Sequence, residues 1–148
     1  MIVIDDHSTD DTAAVVRAVS QRDGRIRLLQ MPCNAGTFVA KNIGALEARG
    51  EFITCHDSDD WSHPLRLELQ VKPLLAHPHL VATTSQWVRI QDDGVFYARP
   101  VHPLARLNPA SPLFRRQLVQ NHAGLWDGVR TGADSEFHAR LKLVFGRR

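Results

Sequence analysis

Ile2-Val3-Ile4-Asp5-Asp6-His7-Ser8-Thr9-Asp10-Asp11-Thr12 is the stretch on which the fold turns. Three β-branched residues in a row stop abruptly at two acids. A short apolar run of this kind reads as a strand buried on both faces, as in a parallel sheet covered by helices. The acids then stand at the strand's carboxyl end. Ser8, Thr9 and Asp10 offer side-chain oxygens that can cap a helix. The pattern that follows puts Ala14, Val15, Ala18 and Val19 on one helical face, and Asp23-Gly24 closes the unit.

The same strand–turn–helix grammar repeats outward from this stretch. Ile26-Arg27-Leu28-Leu29 predicts a second strand, and Asn34-Ala35-Gly36-Thr37 a polar loop, followed by a helix over about 38–48. Phe52-Ile53-Thr54-Cys55 predicts a third strand, which also ends in acids, Asp57 to Asp60. Pro64 suits the first position of the next helix, to which Leu65, Leu67, Leu69 and Val71 lend apolar content. Residues 80–90 read as strand, with Asp92-Asp93-Gly94 turning it into a hairpin with Val95-Phe96-Tyr97. Pro100, Pro103, Pro109 and Pro112 make an irregular loop, and a last helix is expected over about 133–144. Alternating strands and helices predict an α/β fold with a largely parallel first half and a mixed second half. Ligands in such sheets bind at the carboxyl ends of strands, so both acid clusters are expected on one rim.

Bulk properties bound the function. The chain has 148 residues, 43% hydrophobic and 23% charged, which suits one domain spanning residues 1–148. A formal net charge of +2, with only a mildly basic Gly146-Arg147-Arg148 end, argues against a nucleic-acid partner. Cys33 and Cys55 are too few for a disulfide scaffold and form no CxxC pair, so a reducing compartment is expected. With neither a signal peptide nor an apolar run of spanning length, a cytoplasmic location is expected, peripheral at a membrane in a longer parent.

The chemistry concentrates in His56-Asp57-Ser58-Asp59-Asp60-Trp61. Three carboxylates within four residues repel one another and stay ionised together only if a cation or hydrogen-bond donors compensate. Hard oxygen ligands at this density suit Mn²⁺ or Mg²⁺, which take a few carboxylates plus substrate phosphates. A solvated acidic turn is the bland alternative, and the second acid-tipped strand weighs against it. A zinc site using His56 and His63 lacks a second histidine pair at ligand spacing.

These segments resemble family 2 inverting glycosyltransferases of the GT-A fold. Val3 to Thr12 is similar to their "VVDDGSTDDT" opening. Asn34-Ala35-Gly36 and Ala40-Lys41-Asn42-Ile43-Gly44-Ala45 are similar to "N-x-G…ARN-x-G". Gly50-Glu51-Phe52-Ile53 leading into Asp57-Ser58-Asp59-Asp60 is similar to the "GEYI…LDSDD" metal region, and Gly132-Ala133-Asp134-Ser135-Glu136 to the later "G-(E/A)-D-x-E". The resemblance implies a Rossmann-like GT-A domain with a mixed, mainly parallel sheet flanked by helices. It implies transfer of a sugar from a UDP- or dTDP-type nucleoside-diphosphate sugar to a carbohydrate or a lipid- or protein-linked glycan.

The resemblance also implies roles. Asp6 would accept the N3–H of the base, supported by Asp5, while Lys41 would face the diphosphate beside Asn42. Asp59 would bridge ribose and metal, Asp57 and Asp60 would complete the metal and ribose contacts, and Asp134 would be the general base. Three departures stand out. Ala133 replaces the acid that often precedes the base. His7 replaces a glycine, which predicts no strongly positive φ there. The family's first strand, with its "P-x-Y-N" end, is missing before Met1. Its loss raises an alternative: a catalytically inactive nucleotide-sugar-binding remnant, or a fragment that forms a homodimer through exposed sheet edges. An aspartate-nucleophile phosphatase fits less well, because Asp5-Asp6-His7 does not supply D-x-D.

Among the aromatics, Trp61 is expected to pack under the acid loop and Trp87 to lie in the core. Trp126 suits packing and sugar stacking equally. Arg115 and Arg116 read as surface charges.

Overall fold

The computed structural model describes residues 1–146, so Arg147 and Arg148 of the basic end lie outside the described residues. β1 (Ile2–Asp5) leads into α1 (Thr12–Arg22), β2 (Arg27–Gln30), α2 (Thr37–Glu47) and β3 (Phe52–Thr54). Then come α3 (Arg66–Ala76) and five short strands: β4 (Ala82–Thr83), β5 (Gln86–Trp87), β6 (Arg89–Ile90), β7 (Phe96–Tyr97) and β8 (Arg106–Leu107). β9 (Leu113–Arg115), α4 (Arg116–His122) and α5 (Ala133–Phe145) complete the chain.

β1 and β2 pair in parallel, with Val3 opposite Leu28 and Ile4 opposite Leu29. α2 crosses close over β1 because Gly44 has no side chain: a Cβ there would lie 3.3 Å from Ile4 Cγ1. β9 runs antiparallel between β3 and β4, so the strand order of this second ladder is β3-β9-β4. β5 pairs with β8, and β6 with β7, as small antiparallel ribbons. No ladder joins β1 to β3 among the described residues.

The core gathers where β9, α2 and α5 meet. Phe114 and Phe137 are fully buried with ring centroids 5.4 Å apart, edge to face. Trp126 lies 4.6 Å from Phe137 and 6.0 Å from Phe114. Ala133, Phe137 and Leu141, spaced four apart, form the buried stripe of α5, facing Phe38 and Ala45 of α2 and Ile53 of β3. No described helix is long and apolar enough to cross a membrane.

Several expectations yield to the tertiary arrangement. α1 turns Ala13, Val16 and Ser20 inward, whereas the predicted face of Ala14, Val15, Ala18 and Val19 is exposed. Both stripes satisfy the helical period, so periodicity alone cannot choose between them. α3 begins at Arg66, after Pro64, and buries Gln70 and Leu74, leaving Leu65, Leu67 and Leu69 exposed. The expected strand over 80–90 breaks into β4, β5 and β6, each with a different partner. The proline-rich loop holds β8, at Arg106–Leu107, between its second and third prolines. β9 and α4 carry no local signal strong enough to separate them from loop. β9 is nevertheless the joint of its ladder.

Two more corrections concern single residues. His7 adopts φ 64°, in the left-handed region, against the expectation drawn from its not being glycine. The chain must reverse at once after β1 so that Ser8 N–H can reach Asp5 Oδ1 at 2.9 Å. Histidine enters this region more readily than most side chains, at a cost of order 1 kcal/mol. Arg115, expected on the surface, is turned inward. Its guanidinium donates to Leu80 O at 2.9 Å and Leu74 O at 2.6 Å, with Glu51 at 2.8 Å.

Candidate functional site

The acids at the end of β1 organise the chain around them. Asp5 is buried at 4% exposure and accepts from Ser8 N and from Gln30 Nε2 of β2. The Ser8 bonds, then Gln30 and His7, hold its carboxyl below the usual range despite burial. Asp6 accepts the backbone N–H groups of Ala35 and Gly36, both at 2.8 Å, while its carbonyl accepts from Asn34 Nδ2. Asp6 thus fastens the Asn34–Gly36 loop, and Gly36 at φ 95° is the N-cap of α2. Each carboxylate oxygen keeps a lone pair for a further donor.

α2 carries the centre of the site. Lys41 Nζ lies 3.0 Å from Asp57 Oδ1 and 3.1 Å from Asp134 Oδ2, with its own side chain only 9% exposed. It also sits 5.3 Å from the Phe38 ring centroid. Burial pulls the lysine pKa down, but the charges of Asp57 and Asp134 more than offset it, and the net shift is upward. The ammonium therefore persists across neutral pH and draws together two carboxylates 77 positions apart in sequence (134 − 57).

Asp134 stands in the first turn of α5, where the helix dipole favours an anion. Its Oδ1 accepts the indole N–H of Trp126 at 3.0 Å. Trp126 is 4% exposed, so its ring packs in the core and only its N–H reaches the site. Asn42, next to Lys41, fixes this tryptophan twice: Asn42 Nδ2 donates to Trp126 O at 2.7 Å, and Trp126 N donates to Asn42 Oδ1 at 3.0 Å. The Asn42 amide, expected toward the donor, is thus occupied with the main chain that orients Asp134.

The acid loop is held from beneath by Arg66, a residue no local pattern singles out. Its guanidinium donates to Thr54 Oγ1 at 2.9 Å, Cys55 O at 3.1 Å and Ser62 Oγ at 3.2 Å. Within the loop, Asp60 N donates to Asp57 O at 3.1 Å. Asp57 turns inward to Lys41, whereas Asp59 and Asp60 are exposed. Asp60 is held above the usual carboxylate range, first by lost hydration and then by the charges of Asp57 and Asp59. Trp61, expected beneath the loop, is instead 77% exposed. Burial pushes the Cys55 thiol up to about 12, which makes it inert at neutral pH.

The structure thus brings Lys41, Asp57 and Asp134 into contact, with Asp6 linked to them through the start of α2. It draws no three His, Cys, Asp or Glu side chains into a ready-made metal cluster among the described residues.

The glycosyl transferase family 2 model matches residues 1–132 of this sequence. The chain belongs to that family. An uncharacterized glycosyltransferase of Haemophilus influenzae is 40% identical over 94 residues, covering 64% of this chain and 37% of that protein. The chain therefore spans little more than a third of that relative's length. Among solved structures, residues 1–349 of S. aureus TarS superpose with a TM-score of 0.71 at 18% identity, over 97% of this chain and 45% of that one. A mannosyltransferase from Pyrobaculum calidifontis, in complex with GDP-Man and Mn²⁺, gives 0.68 at 23% identity, over 97% of this chain and 41% of that one. These likenesses establish the fold as the GT-A type expected from the motifs. The family 2 model takes in every motif except Asp134, which lies just past its matched end.

Proposed function

We propose that this chain forms the donor-binding and base-bearing part of an inverting glycosyltransferase. It would transfer a sugar from a UDP- or dTDP-type donor to a glycan hydroxyl. The observation that carries the proposal is the meeting of Asp57 and Asp134 on the ammonium of Lys41. Residues from three separate segments converge there, and all three chemistries the reaction needs are within reach: a cation for phosphate, a carboxylate for metal, and a carboxylate base.

In this reading Asp6 and the loop it fastens hold the base. Lys41 exchanges its carboxylate partners for the donor diphosphate, which releases Asp134 to accept the proton of the acceptor hydroxyl. The Trp126 N–H keeps the Asp134 carboxylate in one orientation while the proton moves. Attack opposite the leaving diphosphate inverts the anomeric carbon.

The acid loop fits Mn²⁺ or Mg²⁺ in the mode where one or two carboxylates are supplemented by water and substrate phosphates. The nearness of Asp57 and Asp59, whose charges add to lost hydration in holding the Asp60 carboxyl above its usual range, supports that fit. Asp57 would be the inward ligand, with Asp59 and Asp60 completing the metal and ribose contacts. An ion there would neutralise charge developing on the leaving diphosphate. The Mn²⁺ found with the Pyrobaculum mannosyltransferase is in keeping with this.

The test is turnover with stereochemistry. With Mn²⁺, a sugar nucleotide and a glycan acceptor, the protein should release UDP or dTDP and form a linkage of opposite anomeric configuration, and EDTA should stop it. Retention of configuration, or indifference to EDTA, would refute the metal-assisted single displacement.

A further inference from the structure

A second charged cluster lies away from Lys41, on the ribbons between β4 and β9. Arg89 of β6 and Arg106 of β8 both approach the Trp87 indole, their guanidinium carbons 4.7 Å and 5.9 Å from its centroid. Arg99 lines the same small cavity of about 10 Å³, with Tyr97 and Leu104. None of the three arginine side chains makes an ion pair or side-chain hydrogen bond among the described residues. The nearest acids in sequence, Asp92 and Asp93, sit exposed at the β6–β7 turn, where Asp93 caps Val95 N–H.

Two guanidiniums against one ring and a third lining the same cavity repel one another, just as the acids of the loop do. Arg89 Nε is buried with no hydrogen-bond partner among the described residues. A buried donor left unpaired is destabilising, more so when charged, so such groups normally have a partner. The planar guanidinium fork matches the spacing of oxyanion oxygens. A cavity of about 10 Å³ admits one oxygen-sized group. The indole is itself fixed, its Nε1 donating to Leu107 O at 3.0 Å.

We propose that Arg89, Arg99 and Arg106 around Trp87 form an oxyanion-binding site of phosphate chemistry, separate from the Lys41 centre. The source of that anion is either free phosphate or a phosphodiester carried by the acceptor. The site does not depend on the transferase reading, because it rests on other residues.

The experiment is a titration of the metal-free protein in EDTA, following the Trp87 indole N–H by ¹H–¹⁵N NMR at constant ionic strength. The signal is assigned with Trp87→Phe. Inorganic phosphate should shift it saturably, and chloride should not. Arg89→Gln should weaken phosphate binding about tenfold, and Arg99→Gln, at an exposed position that the fold tolerates, about threefold. Lys41→Gln should leave it unchanged. A short glycerol-phosphate oligomer distinguishes the sources: tighter binding than inorganic phosphate points to the acceptor, and equal or weaker binding to free phosphate. A Trp87 signal that ignores phosphate, responds equally to chloride, or titrates in Arg89→Gln and Arg99→Gln as it does in the wild type overturns the proposal.

Discussion

Asp134→Asn should lower kcat by about 10²–10⁴ while leaving nucleotide affinity within a few-fold of wild type. The amide keeps the shape of the carboxylate and an oxygen for the Trp126 N–H, which now reaches Asp134 Oδ1 at 3.0 Å. Lys41 keeps its second partner, Asp57 at 3.0 Å. Fold and pocket should therefore survive, and what disappears is the proton acceptor. That loss corresponds to roughly 3–5 kcal/mol of barrier. Steady-state kinetics on the sugar nucleotide and glycan acceptor reads it directly. A kcat within threefold of wild type would remove Asp134 from the chemistry and leave it only as a partner for Lys41.

Phe114→Ala should cost about 3–5 kcal/mol of stability. Phe114 is fully buried, stacks edge to face with Phe137, and belongs to β9, the strand that joins β3 to β4. Removing the ring leaves a cavity under Trp126 as well, 6.0 Å away, and so loosens the indole that orients Asp134. A domain of this size has about 5–15 kcal/mol in all, so the variant should be close to unfolding. Phe114→Leu fills much of the space and should cost under about 1.5 kcal/mol. Urea denaturation of both variants measures the difference. A Phe114→Ala loss below about 1 kcal/mol would mean that the core is centred elsewhere.

The readable part of this protein is the part in which local chemistry and fold agree. β1, β2, α2 and β3 each carry their own pattern, α1 its period though not its face, and the acids end β1 or follow β3 after only Cys55 and His56. Motif context singles out Asp57 and Asp134 as candidates. Their meeting on Lys41 is not legible, because contact across 93 residues (134 − 41) leaves no local trace. The same holds for Arg66, whose partners include Thr54 and Ser111, and for Asn42, whose amide is spent on Trp126. β9 is a buried strand of only three residues, and its identity comes wholly from its two neighbours. His7 shows the opposite error. The residue type argued against a left-handed backbone, but the turn that lets Ser8 reach Asp5 required it.

In the proposed function Asp57, inward beside Lys41, helps hold a divalent ion against a nucleoside diphosphate. Isothermal titration of UDP into the protein, with and without Mn²⁺, in wild type and Asp57→Asn, tests it most directly. Binding should require Mn²⁺ in the wild type and weaken at least tenfold in the variant, about 1.4 kcal/mol. UDP binding of equal strength with and without Mn²⁺, or an Asp57→Asn protein that binds as the wild type does, would contradict the account.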